Sequence, residues 1–144
     1  SDEFMRYYLD TNILIFYHDK QRRGLSREVV EIFSDYSNVL YTSSVCVQEM
    51  IHLCEIGKIG NDKYDQYEAG EILQWLKEND IRIVPVEERH LEKYAEMPMH
   101  EEHRDPNDRM IIAQAIVDKV PVISSDYKFG QYAEEGLEFV QNER

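Results

Sequence analysis

Short apolar runs alternate along this chain with longer stretches in which apolar residues recur at helical spacing. Arg6 to Leu9 reads as a strand, and Val39 to Tyr41, Ile81 to Val84, Val122-Ile123 and Leu137 to Val140 as four more, the last at a sheet edge. A short helix is expected from Asn12. A second runs from Ser26 to about Tyr36, capped by Ser26, with Val29, Val30 and Phe33 on its apolar face. Thr42-Ser43-Ser44 opens a helix reaching Gly57, and Cys46, Val47, Met50, Ile51, Leu53 and Cys54 take up most of its circumference, which predicts burial. Asp62 to about Asn79 reads as one amphipathic helix whose Tyr64, Tyr67, Ile72, Trp75 and Leu76 face the body. Pro85 ends the third strand, Glu87 to Ala95 is a short helix, Met97 to Arg104 a loop, and Pro106 to Lys119 a strongly apolar helix. Such alternation predicts an α/β fold of three layers, α/β/α, around a mostly parallel sheet of four to five strands.

Composition bounds this picture. With 144 residues, 42% hydrophobic and 31% charged, the chain suits one domain with a real core. Residues 5–144 are taken as that domain, because Ser1 to Phe4 precede Met5 and read as a vector-derived leader. No stretch is long and apolar enough to span a bilayer, so a cytoplasmic protein is expected. Cys46 and Cys54 fall on one predicted helix, roughly 12 Å apart at about 1.5 Å rise per residue, beyond disulfide reach. They read as reduced thiols.

The formal net charge of −13 argues against an extended basic face for phosphate backbones. Basic residues cluster only locally. Lys20, Arg22, Arg23 and Arg27 follow the first strand and helix, and Arg104, Arg109 and Lys128 flank later acids; of these, Arg22, Arg23, Arg104 and Lys128 are candidates for guiding a polyanion. Arg109 is expected to pair with a carboxylate.

Acidic residues end the strands. Tyr7-Tyr8-Leu9 runs into Asp10, and Val122-Ile123-Ser124-Ser125 into Asp126, which in a parallel sheet puts both at the carboxyl edge where ligands bind. Local roles are available to each. Asp10 can receive the N–H groups of the following turn, Asp105 and Asp108 suit the start of the Pro106 helix, and Asp126 can cap Tyr127 to Gly130. Glu49 is different, since Cys46, Met50 and Leu53 surround its stem and an unpaired carboxylate there is costly. Either a cation shared with Asp10, Asp108 and Asp126 or a salt bridge to Arg109 or Arg6 would satisfy it. An all-oxygen donor set suits Mg²⁺, with Mn²⁺ a plausible substitute, and the natural chemistry is in-line hydrolysis of a phosphodiester, on one ion or on two about 4 Å apart.

Tyr8-Leu9-Asp10-Thr11-Asn12, Ser43 to Glu49, His103-Arg104-Asp105-Pro106-Asn107-Asp108-Arg109 with Ile112-Ala113-Gln114-Ala115, and Val122-Ile123-Ser124-Ser125-Asp126 together resemble the PIN-domain family, and within it the single-domain ribonuclease toxins of VapC type from bacterial toxin–antitoxin pairs. The resemblance runs from Met5 to about Val140. It implies that Asp10, Glu49, Asp108 and Asp126 are the catalytic, metal-holding acids, with Asp105 an additional acid. Thr11 or Asn12 and Ser124 or Ser125 would be the supporting polar positions. It further implies Mg²⁺-dependent RNA cleavage, and an antitoxin partner that inserts a basic segment among the acids; dimers are common among relatives. The helices over Ser26 to Tyr36 and Asp62 to Asn79 are candidate partner surfaces. One departure is Asn107, where the subgroup usually has an apolar aromatic residue; it is expected to touch none of the presumed ligands.

Other readings of the same acids lead elsewhere. A haloacid-dehalogenase-type phosphatase needs a second Asp two residues after the first, where this chain has Asn12, and a phosphoacceptor receiver domain needs an acidic pair at the end of strand one. A non-enzymatic module could use the acids only to hold a basic partner peptide.

Overall fold

The computed structural model describes residues 5–19 and 23–143. The apolar runs form a five-stranded sheet: β1 (Arg6–Leu9), β2 (Val39–Ser43), β5 (Ile81–Val84), β6 (Val122–Ser124) and β7 (Phe139–Gln141). Its order is β5-β2-β1-β6-β7, and every neighbouring pair is parallel. Leu9 stands opposite Thr42 on one side and Ile123 on the other, so β1 is central and bears fully buried Tyr8 and Leu9.

Helices fill the connections: α1 (Thr11–His18), α2 (Arg27–Ser34), α3 (Ser44–Glu55), α4 (Glu71–Glu78), α5 (Glu88–Glu96) and α6 (Pro106–Asp118). The chain moves outward from β1 through β2 to β5, then crosses back to β6 and β7. With right-handed crossovers, that reversal places the two sets of helices on opposite faces. It also makes the β1/β6 boundary the topological switch point, where a crevice opens at the carboxyl ends of the strands. Among the described residues, no helix is long and apolar enough to cross a membrane.

Sequence explains most of the elements. α2 is capped by Ser26, whose Oγ accepts from the Val29 N–H at 3.2 Å. α6 has Asp105 as N-cap, Pro106 in the first turn and Lys119 in the left-handed region (φ 56°) at its end, and Arg109 to Ala115 are buried without a break. A wider tie joins β1 to α5 and α6. The Asp118 carboxylate accepts from the Tyr8 hydroxyl at 2.5 Å and from Arg89 at 3.0 Å, and it meets His90 Nε2 at 3.2 Å. His90 Nδ1 accepts from the Glu87 N–H, so the ring proton sits on Nε2 and points at Asp118.

Three expectations need correction. The stretch from Asp62 to Asn79 is not one helix. It holds a two-stranded antiparallel hairpin, β3 (Asn61–Asp62) with β4 (Asp65–Gln66), and only Glu71–Glu78 is helical. Gly60 at φ +75° enters the hairpin, the Asp62 carboxylate accepts from the Tyr64 N–H to close its turn, and Tyr64 is 65% exposed. Tyr67, Ile72, Trp75 and Leu76 do pack on the body.

α3 is less buried than its composition suggests. Cys46, Val47 and Met50 are buried, whereas Gln48, His52 and Glu55 form a solvent stripe at helical spacing and Ile51, Leu53 and Cys54 are half-buried. The segment after Asp126 runs on as a 3₁₀ helix over Tyr127–Glu135, past the expected Gly130, because Phe129 and Tyr132, three residues apart, both enter the core.

Candidate functional site

At the β1/β6 switch point the chain turns sharply after each strand, and an acid sits at each turn. Asp10 is the N-cap of α1 and only 2% exposed. Its Oδ1 accepts from the Thr11 N–H at 2.8 Å; its Oδ2 accepts from the Ser124 hydroxyl at 2.7 Å and from the Asn12 side-chain amide at 3.3 Å. Both local and site roles therefore fall on the same carboxylate. Burial pushes its pKa up to about 6, with Glu49 and Asp126 adding to the rise and the Ser124 and Thr11 hydrogen bonds opposing it.

Ser124 joins the two strand ends. Besides donating to Asp10, its oxygen accepts from the Asp126 N–H at 3.0 Å. Asp126 in turn caps the 3₁₀ helix, accepting from the Lys128 N–H at 3.0 Å. Ser125 donates its N–H to Asn12 Oδ1 and accepts at its hydroxyl from Asn142. Thr11 is buried, and its hydroxyl has no partner among the described residues.

Asp108 comes in from the first turn of α6 and feels the other acids most. Burial first, and then Asp10, Asp105, Asp126 and Glu49, push its pKa up to about 8. Glu49 reaches the group from α3. It is half-buried, and no ion pair to Arg109 or Arg6 forms among the described residues; instead the Asn107 side-chain amide donates to its Oε2 at 3.3 Å. Asn107 thus does touch a presumed ligand, contrary to expectation, because a polar amide on the first turn of α6 faces α3. Asp105 is exposed, and its Oδ1 accepts from the N–H groups of Asn107 and Asp108.

Arg109 also departs from expectation. Its buried guanidinium donates to the Met97 carbonyl at 3.2 Å and lies 4.5 Å from the centre of the Tyr94 ring, with no carboxylate pair among the described residues. Helix α6 turns it into the interior, away from the acids. Of the proposed guiding cations, Arg23 and Arg104 are exposed and Lys128 is half-buried, while Arg22, like Lys20, lies outside the described residues. Arg27 is engaged with Glu31 at 3.5 Å.

Two residues at this edge carried no role in the sequence reading. His103 is 3% exposed, with Nε2 3.3 Å from Asp108 Oδ2 and 3.7 Å from Asp126 Oδ2; burial pushes its pKa down. One ligand atom each of His103, Asp108 and Asp126 lies within 4.8 Å of the others. Its place in the quoted His103-to-Arg109 motif was the available signal. Asn142 is buried beyond the last strand; it accepts from the Ser26 N–H and donates to the Gly24 carbonyl and Ser125 hydroxyl, tying the turn after α1 to the site. Nothing in the sequence pattern marks it.

The donor set fits a hard divalent cation. The acids come in from the ends of β1 and β6 and from α3 and α6, among the described residues no basic side chain but His103 forms an ion pair with Asp10, Glu49 or Asp108, and burial together with mutual repulsion holds Asp108 protonated near neutrality unless positive charge arrives. A family model for the PIN domain matches residues 7–135.

The chain belongs to the PIN-domain family. Solved structures similar to this PIN domain include VapBC2 from Rickettsia felis bound to a DNA fragment from their promoter, at 18% identity and TM-score 0.70, covering 96% of this chain and 100% of that one. DNA-bound VapBC from Salmonella typhimurium follows at 17% and 0.67, with 95% and 98% covered. VapBC-5 from Mycobacterium tuberculosis, of the VapBC toxin–antitoxin family, gives 20% and 0.63, with 94% and 98% covered. At these identities the likeness shows the fold. No curated protein matches the chain.

Proposed function

We propose that this PIN domain is a Mg²⁺-dependent endoribonuclease, the VapC-like toxin of a toxin–antitoxin pair. The observation that carries the proposal is that Asp10, Glu49, Asp108 and Asp126 come near enough at the switch point to act on one another's ionisation, with Asp108 pushed up to about 8 by burial first and then by its acidic neighbours. PIN domains are generally nucleases, and the solved structures of like fold include toxin–antitoxin complexes.

Those four acids would hold the cation, Asp10 through whichever oxygen positions Ser124 and Asn12 leave free. Bound there, Mg²⁺, or Mn²⁺ in its place, supplies Lewis acidity that lowers the pKa of water and offsets charge on the phosphate. The chain supplies placement. Ser124 locks Asp10 and Asp126 to one another, Asn107 steadies Glu49, and the caps at Asp10, Asp105 and Asp126 fix where each element starts. Water would attack the phosphorus in line and give up a proton as the bond to the leaving ribose oxygen breaks and that oxygen takes one up. Among the described residues, Arg23, Arg104 and Lys128 are cations that could draw in RNA, and Arg22 lies outside them.

The acidic pocket and the net charge of −13 suit an antitoxin whose basic segment enters the site. Exposed Tyr36, Val30 and Leu73 leave apolar contact points around α2 and α4 for that partner or for a second copy of the chain. Work in the cytoplasm accords with such a role.

The deciding experiment is cleavage of total RNA by antitoxin-free protein in Mg²⁺, Mn²⁺ or EDTA, beside an Asp10→Asn variant purified identically. Metal-dependent fragments lost in the variant are expected. Equal fragments from both would expose a contaminating ribonuclease. No fragments from either, with metal-independent capture of a basic peptide, would favour a binding module, and turnover of a small phosphate ester would favour a phosphatase.

A further inference from the structure

We infer that His103 is a positioning residue, which holds the Asp108 carboxylate in its metal-binding orientation through a buried chain running from Tyr132 through His103; the inference rests on the metal-dependent reading above. His103 stands behind the acids on the loop that leads into α6. The Phe129 and Tyr132 rings meet its ring at steep angles, 70° and 71°, with centroids 5.5 and 5.4 Å away, so it is packed between two aromatic neighbours. Its Nδ1 lies 2.8 Å from the Tyr132 hydroxyl, and its Nε2 lies 3.3 Å from Asp108 Oδ2.

The direction of these bonds follows from what each group can do. Nε2 faces two carboxylates, Asp108 Oδ2 at 3.3 Å and Asp126 Oδ2 at 3.7 Å, and oxygens that accept draw the ring proton to that nitrogen. Nδ1 is then left to accept from the Tyr132 phenol. A ring that accepts at Nδ1 carries its proton on Nε2 and donates it to Asp108. Among the described residues, no other side chain forms a hydrogen bond to the Asp108 carboxylate. Without His103, that carboxylate could turn about its own bonds, and Asp10, Asp105, Asp126 and Glu49 all repel it.

The rival arrangement makes His103 Nε2 itself a metal ligand, with the ring proton on Nδ1 donated to Tyr132. It places a nitrogen on the ion, whereas the positioning role does not. Removal of an outer partner of a metal ligand costs about 10-fold or more in affinity.

The test is Mn²⁺ titration of the full chain followed by electron paramagnetic resonance, with RNA cleavage measured in parallel, for the parent, Tyr132→Phe, His103→Leu and His103→Gln. We expect Mn²⁺ to bind about 10-fold more weakly to Tyr132→Phe and His103→Leu. His103→Gln, whose side-chain amide offers an N–H near the place of Nε2, should recover most of the loss, and pulsed spectra of the parent should show no directly coordinated nitrogen. Unchanged affinity in the first two variants, a nitrogen coupling in the parent, or a parent that binds no Mn²⁺ would each overturn the inference. Should His103→Leu fail to fold, Tyr132→Phe decides, since it removes a single oxygen. Weakened Mn²⁺ binding in the variants of a parent that cuts no RNA would leave this inference standing while the nuclease reading falls; metal-dependent cleavage with equal Mn²⁺ affinity in all variants would do the reverse.

Discussion

Asp108 concentrates the tension of the site in one carboxyl group. Its pKa in the folded chain, about 8, lies above the ordinary carboxylate value of 3.8. The native state therefore holds a proton that the unfolded chain gives up between those two values. By linkage, stability from this group is fully present below about pH 4 and is lost as pH rises through about 8. Asp10, at about 6, adds the same sign over a narrower window. In EDTA the melting temperature of the parent should fall across pH 4 to 8 more steeply than that of Asp108→Asn, and Mg²⁺ should remove most of the difference. The variant should melt at the same temperature as the parent or higher at pH 8, and cleave no RNA. Parallel pH profiles for the two proteins in EDTA would show that Asp108 is not under this strain. The four acids stood out in the sequence because Asp10 and Asp126 follow strands, Glu49 interrupts an apolar helix and Asp108 lies in the first turn of another, within motifs that resemble the family's. His103, Asn107 and Asn142 were not, since what they touch depends on loop paths and on how α3 meets α6.

At the scale of elements, α6 couples stability to the site. Asp105 accepts two backbone N–H groups at its start, and loss of such a cap typically costs about 1 kcal/mol. Asp105→Ala should lower stability by about that amount in chemical denaturation. If the cap is its whole role, cleavage at saturating Mg²⁺ should stay within about twofold of the parent; a loss as complete as that of Asp10→Asn would make Asp105 a metal ligand. Elements with one strong period were readable from the sequence, including β1, α6 and the edge strand β7. The β3–β4 hairpin was not, because Tyr64 and Tyr67 fit a helical spacing that Gly60 and the Asp62 turn override locally. The outer stripe of α3 was hidden in a similar way, its Gln48, His52 and Glu55 being outnumbered by apolar neighbours of which only half reach the core.

At the scale of the whole molecule, the proposed ribonuclease reading requires a chain of net charge −13 to bring a polyanion to its acidic site. Of the cations that could guide it, Arg23 and Arg104 are exposed and Lys128 half-buried among the described residues, and Arg27 is held by Glu31. Each phosphate neutralised on a single strand contributes a slope of about −0.7 to the logarithm of affinity against the logarithm of salt concentration. Three such contacts give a slope of about −2, shallow beside that of a binder with a basic face. Screening of the protein's own negative charge works in the opposite direction and can only flatten it. The Michaelis constant for a single-stranded RNA substrate, measured at fixed Mg²⁺ between about 50 and 200 mM monovalent salt, should follow a slope no steeper than about 2 in magnitude. Arg104→Ala should reduce it by about 0.7 if that side chain contacts phosphate. A much steeper dependence would require cations beyond these three, and would direct attention to residues 20–22, where Lys20 and Arg22 lie. A slope near zero would mean that the metal centre, not the basic residues, supplies the electrostatic hold on the substrate.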